Sequence, residues 1–172
     1  MDLDLKLVSR EINELLWQSH KTLSTAESCT AGRIASVITA VPGSSIYFKG
    51  GLVCYADETK IDLLGVDAGV IEEKTPVCEE VVRQMAAGAC RLFHTDYSVA
   101  VSGFAGPGGA ENGKASVIVG TIWIAVGNGE RIVTRVIEED NGREMNLASA
   151  TSLAMHMLLD FIREDNRTET EE

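Results

Sequence analysis

Positive charge is scarce in this sequence: 15 lysines and arginines face 26 acidic residues, for a formal net charge of −11. So acidic a chain offers no broad surface to DNA, RNA or anionic lipid, all of which reward clustered Lys and Arg. An anionic small ligand would need a local positive site. Long apolar runs are missing too, and nothing approaches the ~20 residues that cross a bilayer. The opening Met1-Asp2-Leu3-Asp4 is acidic where a signal peptide is basic, so the cytoplasm is the expected compartment. Cys29, Cys54, Cys78 and Cys90 form no CxxC pair and stand at no metal-ligand spacing to a histidine, which argues against zinc and fits reduced thiols. Neither a metal nor an organic cofactor is expected. Histidine, the usual partner of a nucleophilic serine, occurs only at His20, His94 and His156.

What the chain does have is alternation. Its 172 residues, 45% of them hydrophobic, suit one domain that buries roughly 70% of its unfolded surface. Leu5, Val8, Ile12, Leu15 and Leu16 recur at helical steps and predict an amphipathic helix over 5–18. A strand over 22–27 and a helix over 31–40 follow. Residues 46–55 read as a strand interrupted by Gly50-Gly51, a pair that signals a bulge or close backbone approach. Asp57 is placed to cap a short helix that carries Lys60, Ile61 and Leu64 and stops at Gly65. Residues 72–74 read as loop, and Thr75-Pro76 as the opening of a helix to 93.

Residues 97–101 then predict a buried strand that runs into the glycine-rich loop 103–109. Two further strands, 117–126 and 131–138, flank Gly127-Asn128-Gly129 as a hairpin. Asn141 is placed to cap a last helix over 143–162, with 163–172 left as a polar, frayed tail. The whole pattern predicts an α/β fold: a three-layer α/β/α sandwich whose mixed, mostly parallel sheet contains one antiparallel strand.

The stretch Ser24-Thr25-Ala26-Glu27-Ser28-Cys29-Thr30-Ala31-Gly32-Arg33 lies where the first strand hands over to a helix. Helix-start amides lack partners and carry the positive end of the dipole, so they suit a phosphate or a developing oxyanion beside the Ser28 hydroxyl. Taken alone, the decapeptide is better explained by Ser28 and Thr30 capping the helix. Parallel sheets, however, bind ligands at the carboxyl ends of their strands. Ser28, Tyr55 and the 103–109 loop each follow a strand and would gather along one edge.

Ala26-Glu27-Ser28-Cys29-Thr30-Ala31-Gly32, Lys49-Gly50-Gly51, Tyr55-Ala56-Asp57-Glu58-Thr59-Lys60, Leu64-Gly65-Val66, Ser102-Gly103-Phe104-Ala105-Gly106-Pro107 and Val119-Gly120-Thr121-Ile122-Trp123 stand in this order. Together they resemble the CinA C-terminal family, the nicotinamide-nucleotide amidases, with residues 1–162 as a single such domain. The resemblance implies hydrolysis of nicotinamide mononucleotide to nicotinate mononucleotide and ammonia. It carries the nucleophile onto Ser28 and the base onto Lys60, with Tyr55 as a third member. It also implies a homodimer or higher homo-oligomer, and a domain often found fused behind a separate nucleotide-hydrolysing one. Thr30, Gly32, Ser102, Gly103, Ala105, Gly106 and Arg143 are the candidates for holding the substrate, with Arg143 and the loop amides suited to its phosphate.

The residues allow the chemistry to be checked without the name. Serine-mediated amide hydrolysis needs a base, an oxyanion site and an acid for the leaving ammonia. No histidine falls on the convergent edge, which leaves lysine, with partial burial against Ile61 and Leu64 and a hydrogen bond from Tyr55 as the expected tuning. Cys29 is a rival nucleophile, but neighbours in a turn point apart and only one can face the site. Glu27 reads either as an orienting group or as a surface charge.

The chain departs from the family pattern at Ala31, where a second glycine is usual, and at Ala56-Asp57, usually Ser-Asn. Its glycine loop is longer, and Val117-Ile118 replaces a Lys-Pro, with Lys114 displaced upstream. A second arginine after Arg143 is missing, with Leu147 or Ala148 in its place. These changes keep a second expectation open: a weakly active or inactive mononucleotide-binding protein built on the same edge.

Overall fold

A computed structural model of the chain describes residues 3–108 and 118–171, the side chains of 169–171 excepted. Gly109, Lys114 and Val117 lie outside the described residues. Strands β1 (Leu23–Glu27), β2 (Phe48–Val53), β3 (Tyr97–Gly103), β4 (Thr121–Gly127) and β5 (Ile132–Glu138) form one sheet of order β2-β1-β3-β4-β5. β1 pairs parallel with β2 and β3, whereas β4 runs antiparallel to both β3 and β5. Among the described strands β4 alone is reversed, as the hairpin signal predicts. Helices α1 (Leu3–Ser19), α2 (Arg33–Thr39) and α6 (Arg143–Glu171) cover one face, and α3 (Asp57–Leu64), α4 (Ala68–Lys74) and α5 (Glu79–Phe93) the other.

The two faces are built from residues of different size. Toward α1, α2 and α6 the strands turn Leu23, Val99, Val101, Ile122, Ile124 and Val126. Toward α5 the middle of the sheet turns Ala26, Ala100 and Ala125, with Leu52, Trp123 and Ile132 around them, and Ser98 donates to the Ala86 carbonyl of α5 at 2.8 Å. Small side chains bring α5 close to the sheet. α5 in turn grips α3, because Gly88 lies so near the Leu64 carbonyl that a Cβ there would collide with it. The helix that carries Lys60 is thereby fixed to the core. The glycine pair of β2 is a close approach as expected: a Cβ on Gly51 would strike Thr25 Oγ1, and the β1–β2 register shifts beside it.

Several expectations are corrected. Residues 68–74 form α4, whose start Asp67 caps by accepting the Gly69 N–H at 2.7 Å; the charged run at its end disguised a helix as a loop. α5 begins at Glu79 after Cys78, while Thr75 (φ 98°) takes the Val77 N–H on its hydroxyl at 3.2 Å. Thr75-Pro76 is therefore a turn before the helix. Asp57 is the first residue of α3 and not its cap, which is Ala56. The start of α6 is held by Asp140, which accepts the Gly142 N–H, and by Asn146, which accepts the Asn141 N–H at 2.9 Å.

The segment expected to fray continues α6 to Glu171. Its polar groups have partners: Arg163 on Glu11 at 2.6 Å, Asp165 accepting from the Tyr97 hydroxyl at 2.7 Å, and Glu164 on Arg131 at 3.1 Å.

Candidate active site

The ends of the three parallel strands are stitched together. Cys54 donates its N–H to the Glu27 carbonyl and Ser28 donates to the Val101 carbonyl, both at 2.9 Å. Ser28, Cys54 and Ser102 therefore stand in a row at the carboxyl edge. After Ser28 the chain turns sharply: the Ala31 N–H returns to the Ser28 carbonyl at 3.1 Å, and Ala31 (φ 50°) and Gly32 (φ 93°) both take the left-handed conformation before α2 begins. Gly32 adopts it freely and Ala31 under strain. Ser28 keeps 7% of its surface exposed, and among the described residues its hydroxyl has no hydrogen-bond partner.

The helix start itself is not open to a ligand. Glu27, 1% exposed, points from β1 at the first turn of α2. Its carboxylate accepts from the Thr30 hydroxyl at 2.7 Å, from the Gly32 and Ile34 amides at 3.1 Å, and from the Ala35 amide at 2.8 Å. An anion already occupies the positive end of α2, so a phosphate or oxyanion is not received there. Of the residues expected to meet substrate, Thr30 has its hydroxyl and Gly32 its amide committed to Glu27. The burial of Glu27 also corrects its reading as a surface charge.

Lys60 lies on the first turns of α3, which follows β2 directly. It is 1% exposed, and its Nζ folds back to donate to the Tyr55 carbonyl at 3.2 Å and to Asp57 Oδ1 at 3.1 Å. The amine thus lies at the end of β2, and its positive charge acts on the neighbouring Cys54 thiol, whose sulfur in turn touches the Glu27 carbonyl at 3.6 Å. No direct hydrogen bond joins Lys60 to Ser28 among the described contacts. Tyr55 supports the lysine through its main chain: the expected hydroxyl contact is absent among the described residues, and the side chain is 59% exposed. Asp57 was missed as the partner because its position at a helix start made capping the obvious reading.

Burial pushes the Cys29 thiol up to about 12, so this neighbour of Ser28 stays protonated and is a poor nucleophile near neutrality. Desolvation likewise raises Cys54 to about 11.

On the other side of Ser28 the glycine-rich loop is clamped by α6. The Arg143 guanidinium donates to the Gly106 carbonyl at 2.8 Å, and Asn146 donates to the Ala105 carbonyl at 3.1 Å and to Asp140 at 2.9 Å. Arg143 is close enough for its charge to lower the Cys29 thiol against the effect of burial, which places it beside the β1–α2 turn. Ser102 is 1% exposed and donates to the Pro76 carbonyl at 2.7 Å, so its hydroxyl is structural. Gly103 packs against Ile122 of β4. At the rim Arg33 meets Glu144 through two parallel bonds of 3.1 Å, and its guanidinium holds the Glu144 carboxyl below its usual range. Asn146 and the Arg33–Glu144 pair went unremarked in the sequence, since only the folding of α6 against α2 and the loop unites them.

His20 and His94 precede β1 and β3 and so lie at the opposite edge of the sheet, both with φ above 50°. His156 is on α6, its Nδ1 at 2.9 Å from the Ser152 carbonyl. Among the described residues no group of His, Cys, Asp or Glu could hold a metal ion, and no helix is long and apolar enough to cross a membrane.

Fold and site define a three-layer α/β/α domain with a serine and a buried lysine at the ends of adjoining parallel strands. The sequence pattern of the CinA C-terminal domain matches residues 5–162, and the chain belongs to that family. A CinA-like protein of Mycolicibacterium vanbaalenii is 44% identical over 156 residues, spanning 90% of this chain but 36% of its own length. One from Fervidobacterium nodosum is 42% identical, spanning 91% and 38%. The chain therefore covers little more than a third of these relatives. Among solved structures, a competence-damaged protein (CinA) superfamily protein from Escherichia coli superposes with a TM-score of 0.86 at 31% identity, covering 94% of this chain and 92% of that one. A competence/damage inducible protein from Agrobacterium tumefaciens gives 0.85 at 32%, covering 93% and 98%.

Proposed function

We propose that the chain is a nicotinamide-nucleotide amidase, hydrolysing the carboxamide of nicotinamide mononucleotide to nicotinate mononucleotide and ammonia. The observation that carries this reading is a buried lysine amine turned back to the end of β2, the strand that adjoins the one ending at Ser28, whose hydroxyl has no partner among the described residues. Ser28 Oγ attacks the carboxamide carbon. Lys60, released from Asp57 with its extra proton given up to water, takes the hydroxyl proton and passes it to the departing ammonia, and water then cleaves the acyl ester. The Asp57 side chain is 43% exposed, so water receives its carboxylate when it leaves the amine.

Because Glu27 fills the start of α2, the oxyanion falls to the amides of Cys29 and Thr30 in the turn itself, which Glu27 leaves unbonded. Arg143 and the loop of Gly103, Ala105 and Gly106 receive the phosphate end, and Thr30, Gly32 and Ser102 shape the site from behind. The active form is a homodimer or higher homo-oligomer in the cytoplasm, which sedimentation and fractionation would test.

Ammonia release from nicotinamide mononucleotide, beside nicotinamide riboside and simple amides, tests the reading. Turnover that vanishes in Ser28→Ala and Lys60→Met is expected. A wild-type chain without turnover sinks it. The second reading, a mononucleotide-binding protein without turnover, is favoured by one observation: Lys60 is engaged with Asp57 and not with Ser28. Calorimetric binding without ammonia, unaltered by Ser28→Ala, would establish it.

A further inference from the structure

Glu27 is a buried carboxylate immediately before the proposed nucleophile, and no chemical step above uses it. Its four bonds all go to the segment that follows Ser28: the hydroxyl of Thr30 and the amides of Gly32, Ile34 and Ala35. That segment contains the strained Ala31. A non-glycine residue in the left-handed region persists only where the surroundings over-determine it. Glu27 supplies that constraint, because it is anchored on both sides. Its own carbonyl is bonded to Cys54 of the neighbouring strand end, and its carboxylate draws the start of α2 down onto β1. Two oxygens receiving four donors at a helix's positive end favour a carboxylate over any neutral group of the same shape. An amide would present an NH2 to amides that are themselves donors.

We infer that Glu27 is the positioning residue for the nucleophile, clamping α2 onto the end of β1 so that the left-handed turn holds Ser28 Oγ in its attacking direction. The inference rests on the reading of Ser28 as nucleophile and is silent about which amide is cleaved.

The test uses a fluorophosphonate probe, in which the serine oxygen bonds to phosphorus and fluoride leaves, so that Ser28 reactivity is read without the amide substrate. In Glu27→Gln, labelling at Ser28 is expected to slow by about 10–100-fold, the order that a misplaced reacting atom costs. The kcat for nicotinamide mononucleotide is expected to fall by the same factor while KM stays within about threefold, a split that general loosening of the fold would not give. Hydrogen exchange is expected to quicken at residues 30–35 and not in α5. Should Glu27→Gln lack a cooperative melt, Thr30→Val removes one of the four donors at nearly constant volume and is expected to slow labelling by at least about threefold. Labelling within twofold of wild type in a folded variant overturns the inference. A wild-type Ser28 that the probe does not modify overturns it as well. Normal labelling of wild type without ammonia release defeats the amidase reading alone.

Discussion

The turn that carries Ser28 and the rim that faces it meet at one edge of the sheet, yet they are built on opposite plans. In the turn the helix-start amides are consumed internally by Glu27, which is 1% exposed, and Thr30 is fully buried with it. At the rim the charges are exposed and exchangeable, with side-chain exposures of 41% for Arg33 and 81% for Glu144. A group that must act in one direction gains from rigidity, because its geometry is settled before substrate arrives. A group that recognises an anion gains from being able to change partners. On the proposed function, this difference assigns chemistry to the turn and recognition to the rim.

Substitutions test that division. On the turn side, Ser28→Ala and Lys60→Met are expected to lower the rate of ammonia release by at least about a thousandfold. The melting temperature of Ser28→Ala should stay close to wild type, because among the described residues the hydroxyl has no partner to lose. At the rim, Arg143→Ala should raise KM for nicotinamide mononucleotide by about 10–100-fold, the loss of a charge-assisted contact. It should hardly change KM for nicotinamide riboside, which has no phosphate. If both substrates suffer equally, Arg143 acts only through the Gly106 carbonyl that it holds, and the division fails.

Two smaller effects probe the turn's burial. Burial raises the Cys29 thiol to about 12 and the Cys54 thiol to about 11, from an ordinary 9. Unfolded thiols lose their protons first, so the stabilising contribution is complete below about pH 9 and is lost as pH rises through 11–12. Melting temperature should therefore fall over that window, and less steeply in Cys29→Ala compared with its own value at pH 8. Cys29→Ala should also keep its ammonia release, since a protonated thiol is no nucleophile. Least of all, Ala31→Gly relieves a left-handed alanine and should stabilise the chain by up to about 1 kcal/mol in chemical denaturation. A loss of stability there would mean that the turn is not strained.

The order of strands and helices was readable because each follows from local rules. Leu5, Val8, Ile12 and Leu16 mark α1, Gly127-Asn128-Gly129 marks the hairpin, and Gly65 ends α3 in the left-handed conformation expected of a stop. α4 was hidden because Glu72, Glu73 and Lys74 give it no buried face to announce. The tail was misjudged for the related reason that Arg163, Glu164 and Asp165 are held by Glu11, Arg131 and Tyr97, residues remote in sequence. At the site, the place of Ser28 just after β1 and of Lys60 on the short helix after β2 was legible from the order of the elements. The partners were not. Whether Glu27 lies outside or under a helix start depends on which way β1 presents its odd-numbered residues, and that is decided by Leu23 packing on the α6 side of the sheet.

On the proposed function, the Ser28 oxygen forms a covalent bond with the substrate's acyl group. Rapid-quench mass spectrometry of the chain mixed with nicotinamide mononucleotide tests it most directly. An acyl adduct on the peptide that contains Ser28, absent from Ser28→Ala and accumulating as ammonia appears, is the predicted result. Ammonia release that persists in Ser28→Ala, or an adduct on Cys29, would contradict it.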